Sequence, residues 1–263
     1  MKKNLLKVMA VTMTMALPFA FMGCESDDTL KGSDFEKVTV QFRATDGPIT
    51  KSAPQAETRA LVFDDVVSIT SFMVNVGEIE FDFDDDHKWA YQYGGKYSYA
   101  DDIKLKGPFE VDLIADGVLQ VKTLLAGLEL PKARFEEIEF EMKKNRNTNS
   151  LMYNQTIRIE GEIMGIPFIF ASDKEFDFEV EFDKPFIPGE NLGVVVDFHV
   201  NRLFSHSLSG IDFRKAIDYN NNGIIEIYYT DDDDQSPNYW LGKKIWEWLD
   251  DIIDCDFDDD DDD

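Results

Sequence analysis

The chain has 263 residues, with 53 Asp and Glu against 26 Lys and Arg and a formal net charge of −27. Such a charge repels phosphates, which excludes nucleic acid and anionic lipid headgroups as partners and leaves divalent cations open. A hydrophobic content of 43% with 21 Phe is enough for a packed core and excludes global disorder.

Lys2, Lys3 and Lys7 open the chain, and an uncharged apolar run from Val8 to Met22, broken by Pro18, follows them. The run is too short to cross a bilayer comfortably, so residues 1–23 read as a secretory signal. Gly23-Cys24 resembles the end of a bacterial lipobox, in which the thiol is acylated and the preceding segment removed. Phe21 and Met22 depart from the usual Leu-(Ala/Ser) start of that box. The expectation is a covalent lipid, palmitate among its acyl chains, on Cys24 and a tether over 24–36. Glu25, Asp27 and Asp28 resemble the export tag of Bacteroidota surface lipoproteins, and the alternative is a plain polar tether. The expected address is the outer membrane, cell-surface side, with its periplasmic face as the alternative. Two or more acyl chains would hold firmly, at about 0.8 kcal/mol per buried methylene.

From Val38 onward, alternation of apolar and polar residues dominates. Ile79, Phe81 and Phe83 alternate with Glu78, Glu80 and Asp82; Ile138, Phe140 and Met142 alternate with Glu137, Glu139 and Glu141. Phe176, Phe178, Val180 and Phe182 alternate with Glu175, Asp177, Glu179 and Glu181. This period of two predicts strands with one buried and one wet face. Further strands are expected at Val38–Phe42, Val66–Val76, Phe109–Ile114, Gln155–Ile163, Pro167–Phe170 and Leu192–Val200. The parity of the alternation changes at Gly77, which predicts a β-bulge. Polar, Gly- and Pro-containing stretches such as 44–65, Gly94-Gly95, Asp116-Gly117 and Asn145–Ser150 read as loops and turns. Trp89, Tyr91, Tyr93, Tyr97 and Tyr99 form an aromatic run. It reads either as a glycan- or protein-binding face or as a loop packed on the core. The expected fold is mainly β, an antiparallel β-sandwich over residues 37–204.

After Ser205 the character changes. Ile211–Ile217 predicts a short helix and Tyr239–Ile253 a longer one, with Leu241, Ile245, Trp248, Leu249 and Ile252 on one stripe. Docking of that stripe onto the sandwich is expected, rather than an exposed partner-binding face. Residues 205–254 are therefore read as a helical appendage, and the aspartate-rich 255–263 as a disordered tail.

Within the appendage, Asp218-Tyr219-Asn220-Asn221-Asn222-Gly223-Ile224-Ile225-Glu226 fits D-x-[DN]-x-[DN]-G, the first half of an EF-hand calcium loop. The side-chain oxygens of Asp218, Asn220 and Asn222, the carbonyl of Ile224 and the carboxylate of Glu226 are the expected Ca²⁺ ligands. The twelfth position, which the motif fills with a bidentate Glu, holds Tyr229, so Asp231 in the following acidic run is the expected substitute. The other reading is an Asn/Gly-rich turn. With so few carboxylates, calcium affinity in the extracellular range of about 10⁻⁴ to 10⁻³ M is expected.

No catalytic set stands out. His87, His199 and His206 occur without HExxH, GxSxG or paired-cysteine spacing, and His199 falls on the outward parity of its strand. Cys255 lies between two aspartates, which raise rather than lower a thiol pKa.

Val38-Thr-Val-Gln-Phe-Arg-Ala-Thr45-Asp46-Gly47-Pro48 resembles the opening strand and Thr-Asp-Ala-Pro turn of a family of bacterial lipoprotein domains of unknown function. Segments like Val66–Phe83, Val111-Asp112-Leu113, Leu124–Pro131, Phe135–Met142 and Val194–Phe198 follow in that family's order. Residues 51–61 look like an insertion, and Gly47 replaces the usual Ala. The resemblance implies a prealbumin-like or carboxypeptidase-regulatory-like sandwich and carries no catalytic residues. The expected function is a non-catalytic binding module, held at the membrane by its lipid and taking a glycan or protein ligand. The alternatives are a fimbrillin-like assembly subunit or a hydrolase using His199 or His206.

Overall fold

A computed structural model describes residues 35–46, 61–83, 89–93, 96–100, 102–189, 192–230 and 236–258. Cys24 with its signal and acidic tether, the 47–60 part of the first loop, His87, Asp231–Asp234 and the tail beyond Asp258 lie outside the described residues. The protein is mainly β, and its strands form two mixed sheets and one hairpin.

The larger sheet is organised around Val67–Phe83 (β3), a strand of 17 residues. Along one edge β3 pairs with Leu61–Phe63 (β2) and then with Asp102–Ala115 (β6). Along the other it pairs with Ile157–Ile163 (β10) and then with Phe135–Met142 (β9). Phe176–Phe186 (β12) extends the sheet beyond β9, and Ile166–Ser172 (β11) extends it beyond β10. The short Val118–Leu119 (β7) adds to β6.

The expected bulge is present: both ladders of β3 shift register between Val76 and Glu78. Before it Phe72, Val74 and Val76 face the core; after it Ile79, Phe81 and Phe83 do. A Cβ at position 77 would lie 2.6 Å from Cβ of Lys143, so the close approach there requires glycine.

The smaller sheet runs Ile253–Asp258 (β15), Leu192–His199 (β13), Phe35–Thr45 (β1) and Val121–Pro131 (β8). Its inward residues Val40, Phe42, Val194, Val196 and Phe198 share one core with the larger sheet. Phe42 lies 5.4 Å from Phe140 and 6.3 Å from Phe178 between ring centroids, and Phe140 and Phe178 stack at 4.9 Å. Offset and edge contacts of this kind add about 0.5–1.5 kcal/mol each to simple burial.

Several expectations are corrected. The sheets are not purely antiparallel, because β1 runs parallel to β13 and β11 runs parallel to Ile225–Tyr229 (β14). Alternation fixes which face a residue takes but not the direction of the neighbouring strand. Residues 205–254 are not a separate helical appendage, since β14 joins the larger sheet and β15, which starts at Ile253, joins the smaller one. The tail from 255 is strand to Asp258, because the β13 edge offers backbone groups that must be paired.

The expected helix at Ile211–Ile217 shrinks to a 3₁₀ turn at Phe213–Lys215. The longer helix spans Tyr239–Glu247 (α3) and gives way to a 3₁₀ turn at Asp250–Ile252. Its stripe docks as expected: Leu241, Ile245, Leu249 and Ile252 are buried, and Trp246 meets Phe176 at 5.0 Å. Two short helices, Val200–Phe204 (α1) and His206–Ser209 (α2), follow β13. The aromatic run folds as a hairpin of Trp89–Tyr93 (β4) with Lys96–Ala100 (β5), in which Tyr91 is opposite Ser98.

Candidate metal-binding loop and the carboxylate face

The loop at 218–226 enters from the 3₁₀ turn and leaves directly into β14. An EF-hand would place a helix on each side, so the flanks here depart from that motif. Ile225 is fully buried, as the motif's apolar position requires. The loop folds around its own oxygens. Asn222 N–H donates to Oδ1 of Asp218 and to Oδ1 of Asn220, both at 3.1 Å, and Gly223 N–H donates to Oδ2 of Asp218 at 2.8 Å. Asn222 Oδ1 accepts the Ile224 N–H at 2.8 Å, and Asn220 Nδ2 donates to Oε2 of Glu226 at 2.7 Å. Asn221 at φ 57° and Gly223 at φ 84° supply the left-handed turns that let these amides converge.

Both ends of the loop are clamped by Asn238, which is fully buried. Its Oδ1 accepts the Ile217 N–H at 3.1 Å, and its Nδ2 donates to the carbonyls of Ile217 at 2.8 Å and Glu226 at 2.9 Å. Sequence reasoning missed this residue, because an Asn just before a helix reads as an N-cap. Asn238 does hold that position on α3, but its side chain makes no capping bond.

Asp218, Asn220, Asn222 and Glu226 are thus brought together, and Ile224 joins them through its N–H rather than through a contact of its carbonyl among the bonds described. Tyr229, at the twelfth position, lies in β14 opposite Ser172, and its carbonyl accepts the Ser172 hydroxyl at 2.7 Å. It has no part in the loop. Asp231 and the side chains of Trp89, Tyr91 and Tyr93 lie outside what the structure describes.

A second feature emerges only from strand register. Glu78 of β3 stands opposite Glu141 of β9, and Glu141 opposite Asp177 of β12. Glu80, Glu139 and Glu179 form the next row, and Asp82 stands opposite Glu137. On the other side Asp82 faces Asp102. Oxygens of Glu80, Asp82 and Asp102, of Asp82, Glu137 and Glu139, and of Glu139, Glu141 and Asp177 come within 4.8 Å of one another in each group.

Lysines line the margins. Lys104 Nζ donates to Glu80 Oε2 at 2.6 Å, and Lys143 is bonded to Glu141. Burial, then the neighbouring acids, pushes the carboxyls of Asp82, Glu139 and Asp177 above their usual range. Glu80 is raised too, first by burial, against the opposing pull of Lys104.

The histidines part company. His206 is exposed on α2, with Nδ1 3.1 Å from the carbonyl oxygen of Ile211. His199 has the outward parity expected but is only 2% exposed. On that side of the small sheet Arg43 is bonded to Asp197, and Asp254 of the neighbouring strand stands near the ring. No family model, curated protein or solved structure matches the chain.

Proposed function

We propose that the chain is a non-catalytic binding module held at the outer membrane surface by a lipid on Cys24, with its loop at 218–226 stiffened by Ca²⁺. The braced loop carries this reading. Asn238 fixes its two ends, and Asp218, Asn220, Asn222 and Glu226 gather oxygen atoms between them. Hard oxygen donors without sulfur or imidazole suit Ca²⁺ rather than a transition metal. The Asn220–Glu226 hydrogen bond leaves Asn220 Oδ1 and Glu226 Oε1 as ligand atoms, and two carboxylates in the set agree with weak affinity. A shared core between two sheets supports the finer reading of a prealbumin-like sandwich. The hairpin bearing Trp89, Tyr91 and Tyr93 is the proposed contact for a glycan or protein ligand.

Calcium at ten times its Kd stabilises the folded state by about 1.4 kcal/mol, which raises Tm by roughly 4 °C for a chain of this size. Titration by thermal melting should show that rise at millimolar calcium, and Asp218→Ala should remove it. No shift in the unaltered chain refutes the calcium site. The ligand is sought by a glycan and protein binding screen on intact cells with and without the chain. Equal binding by the two sets of cells refutes the module.

A further inference from the structure

His199 ends β13 and lies between three strands. Its Nδ1 is 2.9 Å from Thr45 Oγ1 on β1, and its Nε2 is 3.8 Å from Asp254 Oδ2 on β15. The Nε2 atom is buried and makes no hydrogen bond. The charged groups facing the ring are Arg43 from β1, Asp197 from β13 itself, Arg202 from α1 and Asp254 from β15. Arg43 already holds Asp197 through two hydrogen bonds of 2.5 Å. Arg202 Nη1 donates to the Asp251 carbonyl at 3.2 Å, just before β15 begins. An added proton therefore enters a site closed to water at Nε2, facing two guanidinium groups of which one already neutralises Asp197. Burial first, and Arg202 next, lower the proton affinity of the ring, against the pull of Asp197 and Asp254.

One wall of this site can move cheaply. The strand β15 is six residues long and stands at the sheet edge, with Asp254 half exposed, whereas β1 and β13 each have a neighbour on both sides. Lifting β15 admits water to Nε2 and leaves the aromatic core in place. Such sub-global opening costs less than unfolding the domain.

We propose that His199 is an acid-sensitive latch on the C-terminal strand: protonation of its imidazole releases β15 from β13 while the rest of the fold stays closed. An imidazole that takes its proton only in the open state, with an ordinary pKa of about 6.5, raises the opening constant by at most about thirtyfold at pH 5.0. The released edge of β13 then presents unpaired backbone groups to any other strand.

Hydrogen exchange on the full chain at pH 7.5 and 5.0, with each amide referenced to its intrinsic rate at that pH, reads this directly. Protection of amides 253–258 should fall by tenfold to thirtyfold, while amides of β3 and β9 change by less than twofold. His199→Gln should abolish the fall. Protection of β15 that does not change with pH, or an equal fall in His199→Gln, overturns the latch. A fall shared by β3 and β9 means global acid unfolding and also overturns it. Because a change at a buried ring can unfold the chain, Asp254→Asn at the half-exposed partner is the second variant. Loss of that carboxylate should leave the fall as large or enlarge it; a smaller fall assigns the effect to Asp254 and overturns the proposal.

Discussion

The outer faces of the two sheets treat charge in opposite ways. On the larger sheet, carboxylates of β3, β9 and β12 stand opposite one another in register, and the lysines sit at the margins. On the smaller sheet, one buried carboxylate, Asp197, is paid for by a bidentate guanidinium, and the neighbouring imidazole is kept neutral by burial. The first face stores repulsion where water still reaches; the second removes charge where water does not. Their responses to acid therefore have opposite signs.

Glu80, Asp82, Glu139 and Asp177 have folded pKa values raised above their ordinary 4.5 and 3.8. Their contribution is fully present below those ordinary values and is lost as pH rises through the folded ones, so the large sheet tightens in acid. His199 is lowered from 6.5, so its contribution is present above 6.5 and is lost as pH falls through the folded value. Acidification from neutrality therefore loosens the small sheet's edge and relieves the large sheet's face.

Two substitutions press on this contrast. Arg43→Met should be the more costly. It leaves Asp197, fully buried, without its counter-charge, and loss of one partner of a buried pair costs about 3–5 kcal/mol. Because Arg43 is partly exposed, the lower end of that range is expected, read from the urea midpoint at pH 7.5. A loss below about 1 kcal/mol, the level of an exposed pair, would mean that the small sheet solves no burial problem. Glu139→Gln should act in the other direction and more weakly. Removing a charge set between like charges should stabilise the chain by up to about 1 kcal/mol at pH 7.5. The gain should fade by pH 4, where the carboxyl takes its own proton. Destabilisation at pH 7.5 would show that the rows are not repulsive at all.

Much of this frame was legible in the sequence. The alternation through Ile79–Phe83, Glu137–Met142 and Phe176–Phe182 placed β3, β9 and β12, and the parity change located the bulge at Gly77. The acidic rows were not legible as rows. Each strand shows its own wet face, but only pairing puts Glu80 beside Glu139. Strand β15 was hidden because Ile253 read as the end of a helix and Asp256 and Asp258 as a solvated tail; the demand for that strand comes from the β13 edge, where Val194 and Val196 are buried. In the same way, β14 was masked by the Asn-rich turn before Ile225 and Ile227. The outward parity of His199 was legible but its burial was not, because a period of two does not show how neighbouring side chains close over an outward residue. The oxygens of the 218–226 loop followed from spacing, whereas Asn238, twelve residues past Glu226, carries no local signal of its clamp.

The position of β1 also sets a schedule. This strand comes off the ribosome among the earliest parts of the domain, yet it lies inside its sheet, between β8 and β13. Its parallel partner is some 154 residues downstream, as the Arg43–Asp197 contact records. During synthesis, or threading through a pore from the N-terminus, β1 must wait with both edges unpaired until β8 arrives, and with one edge unpaired until β13 follows. Long-range pairing of this kind is slow and leaves apolar strand exposed to mispairing. The first strand made is among the last to be secured, so any factor that shields nascent chains has most to gain by binding residues 35–45.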